Sequence, residues 1–493
     1  MKKRKKEFFR IRQFKRRYDA REGKFVINIA YETAAEATPR TLAVAEAFGL
    51  GLDEHRRFVL YDNVELKIGE RDVVYITGES GSGKSVLLRA LRRDLGDKAI
   101  DLAEITPEVD KPLIDTVGRN FSEGLELLSR AGLNDAFLFV RRFGELSDGQ
   151  KYRYKIAKLM ESNKQWWFAD EFCSVLDRDM ARIVAFNIQK FARQLGRGVV
   201  VATTHLDLFE DLKPSVHIHK RFGREITVNY YGNEPARECS LTREMRVEEG
   251  EFCDYKRLSV FHYRSGRCPP PRKVFVLKRD SELCGVIVYS YPPPICFGRS
   301  RVWRGSFSEL QRDLSLISRV VVHPKYRSIG LGVKLVRETL ALAGTPFVEA
   351  LAVMARYNPF FERAGMQKIC ESKPSHGVLW ALDRLRLLGF NPAMFGSTEE
   401  NLLVIRRVGK AKIIKILEKL SEREASVRKR LMASGGAYPI HEEFMRKIRG
   451  FSEEGLAKAL KTLGFLAQTK VYLFWKKQHF LAQKHANTHP PPL

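Results

Sequence analysis

The stretch GESGSGKS, residues 78–85, carries the clearest chemical signal in the chain. Its glycines let the backbone wrap closely around a phosphate, and the amides of such a loop and of the helix after it attract the anion. The sequence is strand-like before the loop and helix-like after it, as this motif requires. The loop is therefore predicted to hold the phosphates of a nucleotide, with Lys84 on the terminal phosphates and Ser85 on Mg²⁺. The predicted nucleotide-binding residues here are Gly78, Glu79, Ser80, Gly81, Ser82, Gly83, Lys84 and Ser85.

Further motifs follow the phosphate loop in order: ELSDGQ at 145–150, WWFADE at 166–171, SVLD at 174–177 and a histidine after GVVVATT. Together they resemble the signature, Walker B, D-loop and switch motifs of ABC-type ATPases. The resemblance implies a homodimer, because in that family the signature loop of one subunit closes over the ATP of another. It assigns ATP binding to Ser147, Gly149 and Gln150, Mg²⁺ to Asp170 beside Ser85, and catalysis to Glu171, which polarises the attacking water, and His205, which contacts the γ-phosphate.

Three parts of that pattern are unusual or open. Asp148 stands where the family has a glycine, and no glutamine occurs between the phosphate loop and the signature loop, so the Q-loop glutamine is missing. Glu108 or Asp110 could replace it. Phe58 or Tyr61 could stack on the adenine, as the aromatic A-loop residue of the family does, and either could equally be strand packing.

A second glycine turn, RSIGLG at 327–332, follows the strand-like VVVHP and opens a helix-like stretch. Its amides can converge on a pyrophosphate without obstruction by side chains. A dinucleotide would also suit such a turn, but it needs an acidic ribose-binding residue about 20 positions on within a βαβ unit, and the surroundings do not offer one.

The turn and its neighbours, LCGVIV before it and NPFFERAGM after it, resemble the GNAT family of N-acetyltransferases over about residues 255–385. The resemblance implies that acetyl-CoA binds with its pyrophosphate on the turn and its pantetheine arm along the preceding strand. Many members protonate the leaving thiolate with a tyrosine, but Phe361 occupies that position here. Tyr357 or water could supply the proton, and His323 could act as general base. The residues assigned to acetyl-CoA are Val320, Val321, Val322, Arg327, Ser328, Ile329, Gly330, Leu331 and Gly332.

The elements that must position these residues alternate between apolar strands and helices, which predicts an α/β fold with a largely parallel sheet in the first half. Beyond residue 400 the apolar spacing predicts amphipathic helices. The fold class is thus a P-loop ABC-type nucleotide-binding domain, a GNAT-like mixed α/β domain and a basic helical C-terminal region. The predicted divisions are a basic arm at 1–24, the ATPase domain at 25–230, a linker at 231–254, the GNAT-like domain at 255–385 and the helical region at 386–493.

The formal net charge of +27 is concentrated at the two ends of the chain. Residues 1–24 hold 12 lysines and arginines against 3 acidic residues, and residues 401–493 hold 19 against 7. Basic runs with interspersed aromatics favour a nucleic-acid partner, most plausibly RNA, over a merely solubilising surface. No apolar run is long enough to cross a bilayer and no signal-peptide core follows the N-terminus, so no membrane association and a cytoplasmic location are expected. The seven cysteines form no zinc-binding spacing, although Cys253, His262 and Cys268 lie close in sequence.

These features lead to one principal hypothesis and two alternatives. The first is an ATP-hydrolysing RNA N-acetyltransferase acting on tRNA or rRNA, an arrangement analogous to the tRNA-cytidine acetyltransferases, which join a different ATPase to a GNAT domain. The second is an ABC ATPase that remodels nucleic acid or ribosomes and carries a non-catalytic acetyl-CoA-binding domain. The third is a protein N-acetyltransferase.

Overall fold

The structure is a computed structural model that describes residues 9–19, 21–33, 37–49, 57–262, 268–432 and 439–477. Its contacts divide the chain into two compact units. The first unit comprises Met1–Arg267, Val274–Ile287 and Val320–Leu335, and the second comprises Cys268–Lys273, Val288–Arg319 and Val336–Leu493. Among the described residues, no helix combines the length and apolar character needed to cross a membrane.

The nucleotide-binding part of the first unit is built on a six-stranded sheet in the order β5-β6-β7-β4-β8-β9. Strands β5, β6, β7, β4 and β8 run parallel, and β9 pairs antiparallel with β8. The strands are β4 (Val73–Gly78), β5 (Ala99–Asp101), β6 (Trp166–Ala169), β7 (Gly198–Ala202), β8 (Val216–Lys220) and β9 (Ile226–Tyr230).

A second, antiparallel sheet of three strands precedes it, in the order β1-β2-β3: β1 (Phe9–Asp19), β2 (Lys24–Thr33) and β3 (Arg57–Lys67). Strand β1 therefore takes up 11 residues of the segment predicted as a basic arm, and residues 1–8 lie outside the described part. Tyr18 at the end of β1 stacks on Phe25 with ring centroids 4.4 Å apart. The sequence pattern does not predict this strand, because its charged residues outnumber its apolar ones.

Alternate residues of the central strand β4 face two different hydrophobic cores. Val73 and Tyr75 belong to one core, while Val74 and Ile76 belong to the other. All four are fully buried, as expected for a parallel strand covered by helices on both faces. The helices of this part are α1 (Pro39–Phe48), α2 (Lys84–Leu95), α3 (Leu113–Thr116), α4 (Phe121–Arg130), α5 (Ala136–Phe139), α6 (Asp148–Glu161), α7 (Arg178–Leu195), α8 (Phe209–Leu212), α9 (Ser240–Arg243) and α10 (Phe252–Leu258).

The remaining strands form a seven-stranded sheet in the order β10-β11-β12-β13-β14-β16-β15. Strands β13 and β14 are parallel, and β16 pairs antiparallel with both β14 and β15. The strands are β10 (Arg246–Glu249), β11 (Pro271–Arg279), β12 (Glu282–Ser290), β13 (Leu314–Val322), β14 (Phe347–Ala352), β15 (Gln367–Ser372) and β16 (Lys470–Lys476). The helices that accompany them are α11 (Phe307–Asp313), α12 (Leu331–Thr339) and α13 (Phe360–Arg363).

This sheet takes strands from two segments that were predicted to lie outside the GNAT-like domain. Strand β10 comes from the predicted linker, and β16 comes from the predicted helical region. Local pattern alone does not reveal β16, because its partners β14 and β15 lie about a hundred residues earlier in the chain. The predicted α/β fold class and the helical C-terminal region are confirmed.

A helical bundle lies in sequence between β15 and β16, in the second unit. Its apolar residues share one core, which includes Val378, Ile405, Leu417, Phe444 and Leu460. The helices are α14 (His376–Leu387), α15 (Thr398–Val408), α16 (Lys410–Arg423), α17 (Ala425–Leu431), α18 (His441–Arg449) and α19 (Glu453–Leu466).

A buried ion pair fastens β14 and β16 in the second unit. Glu349 on β14 is fully buried and accepts hydrogen bonds from Arg299 at 2.6 and 3.0 Å and from the Tyr472 hydroxyl of β16 at 2.9 Å. Because every charge is paired, the group can remain in the interior, whereas removal of one partner would leave an uncompensated charge.

Candidate functional site

The phosphate loop joins the end of β4 to the start of α2. Gly78, Gly81 and Gly83 have φ values of 140°, 76° and 102°, which side chains rarely adopt. At Gly78 a Cβ atom would lie 1.8 Å from the carbonyl oxygen of Lys220, so only glycine fits there. Residues 79–81 are exposed at the tip of the loop. The loop therefore has the glycine backbone conformations that allow its amides to surround a phosphate.

Lys84 is folded back onto this cradle. It is only 5% exposed, and its Nζ donates to the carbonyl oxygens of Gly78 at 2.9 Å and Glu79 at 2.6 Å. Burial lowers the pKa of Lys84, and the nearby carboxylates of Glu171 and Asp170 oppose that shift. The cation is thus held at the loop, beside the two acidic residues of the predicted Walker B motif.

Ser85 and Asp170 meet directly, as the Mg²⁺ assignment requires. The Ser85 hydroxyl donates to Asp170 Oδ1 at 3.0 Å, and the same oxygen accepts from the Glu171 amide at 3.0 Å. A hydroxyl and a carboxylate are oxygen ligands of the kind Mg²⁺ prefers, and phosphates and water usually complete its shell. Among the described residues, no cluster of three or more His, Cys, Asp and Glu side chains could hold a metal alone, and Cys253 and Cys268 belong to no such group.

Glu171 and His205 follow the carboxyl ends of neighbouring parallel strands β6 and β7. Glu171 is exposed and adopts a φ of 47°, and His205 is half-buried. The His205 carbonyl accepts a hydrogen bond from the hydroxyl of Tyr75 on β4, and its amide donates to Thr203 at 3.3 Å. The sheet therefore brings the ends of β4, β6 and β7, with their predicted catalytic residues, to one edge.

The signature residues begin helix α6. Ser147 is the N-cap: its hydroxyl accepts from the Gln150 amide at 3.4 Å, while the Gln150 side chain accepts from the Ser147 amide at 3.0 Å. The side chain of Asp148 is 95% exposed, so the replacement of the family glycine is accommodated by solvent. A Cβ on Gly149 would lie 3.4 Å from Leu176 of the D-loop. All of these contacts join residues at the start of α6 to each other or to the D-loop. The N-terminus of α6 is therefore surrounded by polar side chains.

Asp101, which the sequence did not single out, ends the strand beside the predicted Walker B strand and lies close enough to Asp170 for the two charges to interact. It ends β5, pairs in register with Phe168 of β6, and is half-buried. Burial raises the pKa of the Asp101 carboxyl, its bond from the Ala103 amide lowers it, and the Asp170 carboxylate adds to the rise. Glu108, in contrast, is exposed and paired with Lys111 at 3.0 Å. Asp101 could have been identified from the sequence as the last residue of a strand that is predicted to lie beside the Walker B strand.

The two aromatic candidates for adenine stacking differ clearly. Tyr61 is fully buried, and its hydroxyl donates to the Gly83 carbonyl at 3.0 Å. Phe58 is 49% exposed and makes an edge contact with Phe222, with centroids 6.2 Å apart. Tyr61 therefore stabilises the phosphate loop through its hydrogen bond. Of the two candidates, Phe58 is the one whose ring is accessible to an adenine.

The second glycine turn has the predicted strand–turn–helix form. Val320, Val321 and Val322 end β13, and α12 begins at Leu331. The ladder between β13 and β14 covers Leu314–Ile317, so it stops before the valines are reached. Gly330 is exposed with a φ of 92°, and among the described residues no heavy atom lies within 4 Å of where its Cβ would be. Ile329 and Leu331 are buried, whereas Ser328 and Gly330 are exposed and Gly332 is partly exposed.

The first two side chains of the turn make protein contacts. The Arg327 guanidinium donates to the carbonyl oxygens of Val322 at 2.9 Å, Asn134 at 2.6 Å and Phe261 at 3.2 Å. Ser328 has a φ of 73°, and its hydroxyl accepts from the Asn187 side chain at 2.9 Å. The motif predicted that these side chains bind a pyrophosphate. It did not predict their hydrogen bonds to other parts of the protein.

The candidate acid–base residues have separate surroundings. In the first unit, His323 Nδ1 accepts from the Lys325 amide at 3.3 Å, and burial lowers the pKa of the imidazole against the effect of Glu282. In the second unit, Tyr357 is 44% exposed, whereas Phe361 is 5% exposed and packs on Phe360 with centroids 4.1 Å apart. His323 thus caps a turn, while Tyr357 is the accessible hydroxyl.

Comparison with known proteins finds similarity to both of the families that the motifs resemble. The model of the acetyltransferase (GNAT) family matches residues 238–366. The methionine import ATP-binding protein MetN of Rhizobium etli is 26% identical over 226 residues, which are 38% of this chain and 62% of that protein. The cytochrome c biogenesis ATP-binding export protein CcmA of Brucella abortus is 29% identical over 178 residues, or 30% of this chain and 80% of its own. The chain thus spans less than two thirds of the length of the methionine import relative.

Among solved structures, the dimeric post-hydrolysis state of the ATP-binding cassette MJ0796 bound to ADP and Pi matches 36% of this chain and 94% of its own, with 20% identity and a TM-score of 0.30. The assignment of the first part accordingly depends on its ordered motifs and its sequence relatives. The chain therefore combines a region similar to ABC-type ATPases with a region, residues 238–366, that matches the acetyltransferase (GNAT) family.

Proposed function

We propose that this protein hydrolyses ATP and transfers an acetyl group from acetyl-CoA to an amine of RNA. The observation that carries the proposal is the occurrence in one chain of a phosphate loop that meets the predicted Walker B aspartate, with Ser85 and Asp170 in contact at 3.0 Å, and a GNAT-family match at residues 238–366. Neither part alone would suggest ATP-dependent acetylation.

In the ATPase part, the loop amides and Lys84 bind the phosphates, and Ser85 and Asp170 hold Mg²⁺. The metal neutralises charge that develops on the phosphates during hydrolysis. Glu171 orients and polarises the attacking water, and His205 contacts the γ-phosphate. These roles match the accessible position of Glu171 and the support of His205 by Tyr75.

The ATP site is completed in a homodimer. The N-terminus of α6, with Ser147, Gly149 and Gln150, suits the γ-phosphate bound by a second copy, because helix N-termini attract anions. Glu171→Gln, which blocks hydrolysis, should double the mass in solution when ATP is added, as measured by light scattering. The further change Ser147→Arg should keep the protein at 56.7 kDa in the same conditions.

In the acetyltransferase part, the backbone at Gly330–Gly332 and the start of α12 bind the pyrophosphate, and Val320–Val322 flank the pantetheine arm. The acceptor amine attacks the thioester carbon, so a C–N bond forms and the C–S bond breaks. The amine then loses a proton and the thiolate gains one, for which Tyr357 is the accessible donor.

RNA is the proposed acceptor because of charge. The net charge is +27, and helix α16 presents Lys412, Lys415 and Lys419 to solvent. Such cations bind phosphates without reading sequence. Reaching a base amine inside a paired helix costs a few kcal/mol, which ATP-driven closure can supply.

Labelled acetyl-CoA, ATP and either total RNA or total protein would test the proposal. Label should appear in RNA, should disappear in Gly330→Glu, which places a carboxylate where the pyrophosphate binds, and should fall sharply in Lys84→Ala. Gly223→Glu is the matched control, since Gly223 has a similar φ of 79° and comparably open space. Label confined to protein would instead indicate a protein acetyltransferase.

The buried Phe361 favours one further candidate, an ABC ATPase that remodels nucleic acid and only binds acetyl-CoA. That protein would show ATPase activity stimulated by RNA and no label in either pool.

A further inference from the structure

Helix α7 of the ATPase region contacts both the ATP-sensing segment and the acetyl-CoA turn, and all the residues involved belong to the first compact unit. It begins directly after the D-loop, whose Asp177 caps the helix by accepting from the Met180 amide at 3.0 Å. The next two residues, Arg178 and Asp179, face different partners. Their contacts make the first turn of α7 a shared element.

Arg178 connects the helix to the segment that follows His205. Its Nε donates to Asp207 at 2.9 Å, and a second nitrogen bonds the other carboxylate oxygen, so the pair is bidentate. Bidentate arginine–carboxylate pairs fix orientation as well as distance. A movement of His205 on contact with the γ-phosphate would therefore be transmitted to the start of α7.

Asp179 connects the same turn to the residues before the acetyl-CoA turn. Its Oδ2 contacts Arg279 at 2.9 Å, Lys325 at 2.5 Å and the Tyr326 hydroxyl at 3.3 Å. Burial would raise the pKa of Asp179, but the bonds from Lys325 and Arg279 outweigh it and lower the pKa. Lys325 and Tyr326 immediately precede Arg327, so the carboxylate holds the entry to the turn.

Asn187, further along α7, holds the turn itself. This side chain is 3% exposed and donates to the Arg130 carbonyl and to the Ser328 hydroxyl, both at 2.9 Å. Ser328 lies in the left-handed region, where a residue with a side chain costs about 1–3 kcal/mol and persists only when its surroundings fix it. The turn conformation thus depends on a buried residue of the ATPase helix.

We propose that helix α7 couples the two sites, so that the nucleotide bound in the ATPase region sets the affinity of the acetyl-CoA turn. Asp179 and Asn187 are positioning residues in this scheme, and the inference rests on the proposed function, since it requires that the turn bind acetyl-CoA. Coupling between sites is reciprocal, so acetyl-CoA must change the affinity for ATP by the same factor.

The test is the dissociation constant of acetyl-CoA, measured by calorimetry on the full chain with Glu171→Gln, in saturating Mg-ATP and in Mg-ADP. The two constants should differ at least about fivefold, within the usual range of such couplings. Asp179→Asn, which keeps the size of the side chain, should bring the ratio within about twofold of unity. Asp179→Glu should restore part of it.

A control variant and an alternative variant accompany this test. Glu225→Gln removes an exposed acid paired with Arg221 at 3.0 Å and should leave the ratio unchanged. If Asp179→Asn does not fold, Arg178→Lys tests the same connection, because it keeps the charge but loses the bidentate pair. A ratio near unity in the parent protein, or a full ratio in Asp179→Asn or Arg178→Lys, would overturn the coupling. Acetyl-CoA bound equally in both nucleotides would still leave the proposed function intact, whereas no binding in either would overturn both.

Discussion

At the scale of single residues, the aromatic side chains of β3 show how position decides role. Tyr61→Phe removes the hydroxyl that bonds the Gly83 carbonyl, and should lower the free energy of unfolding by about 1 kcal/mol. Phe58→Ala leaves the core intact but removes the exposed ring, and should weaken ATP binding roughly tenfold, as expected for the loss of a base stack. Thermal unfolding and titration with a fluorescent ATP analogue measure the two effects. Equal effects of both changes on stability would contradict the assignment.

Asp101 gives a second prediction at this scale. If its half-buried carboxylate at the end of β5 replaces the missing glutamine, Asp101→Asn should slow ATP hydrolysis at least tenfold, roughly 1.4 kcal/mol in the barrier, with little change in ATP binding. Glu108→Gln and Asp110→Asn, which alter exposed residues, should leave the rate within about twofold, well under 1 kcal/mol. Steady-state phosphate release compares the three variants. A loss of activity confined to Glu108→Gln would instead indicate that Glu108 replaces the missing glutamine.

These residues also show what a motif can predict. Lys84, Ser85, Asp170, Glu171 and His205 were predicted because each lies at a fixed position in a motif, and the sheet brings the motifs together. Asp101 was not predicted because the expected residue type is absent and its position is defined only by the neighbouring strand β6. A motif specifies the residues that meet a ligand, and it does not specify the side chains that pack behind them.

At the scale of elements, strands β4 and β8 carry a partly buried polar cluster, formed by Thr77, His217 and His219, next to the phosphate loop. The Thr77 hydroxyl bonds His217 at 2.8 Å and His219 at 3.0 Å, and His217 stacks on Tyr75 with centroids 5.5 Å apart. Burial, and then the proximity of His219, lower the pKa of His217 from its usual 6.5. The imidazole of His217 therefore binds a proton less readily in the folded protein than in the unfolded chain.

The sign of the pH effect follows from that difference. Stability should be nearly constant above about pH 7, where His217 is neutral in both states, and should fall as the pH drops below about 6.5. His217→Gln should flatten the dependence of the thermal midpoint between pH 7 and pH 5. His376→Gln, at an exposed histidine that begins α14, should leave it unchanged. An unaltered slope in His217→Gln would exclude the cluster as its source.

The elements themselves were predictable where their pattern is local. The buried strands β4 and β7 and the amphipathic helices of the C-terminal region follow from apolar periodicity. Strand β16 could not be found that way, because the helical bundle separates it from β14 and β15, and its pairing depends on residues distant in sequence. The same holds for β10, whose acidic sequence RVEE is unlike a core strand.

At the scale of the whole molecule, the net charge of +27 makes RNA binding a quantitative prediction. Lys412, Lys415 and Lys419 are exposed and lie on one face of α16, since residues three and four apart are neighbours on a helix. Changing all three to glutamate should weaken binding of a single-stranded RNA. The slope of log affinity against log salt should decrease by about 2, at about 0.7 for each phosphate that the variant no longer neutralises.

A matched variant separates a specific surface from bulk charge. Lys67, Lys98 and Lys164 are exposed lysines of the ATPase region, and their change to glutamate alters the net charge by the same amount. Filter binding at several salt concentrations should show a small, parallel loss of affinity for this control and a reduced slope only for the α16 variant. Because counterion release reports the number of phosphates neutralised rather than overall attraction, equal slopes in the two variants would mean that α16 does not touch the RNA.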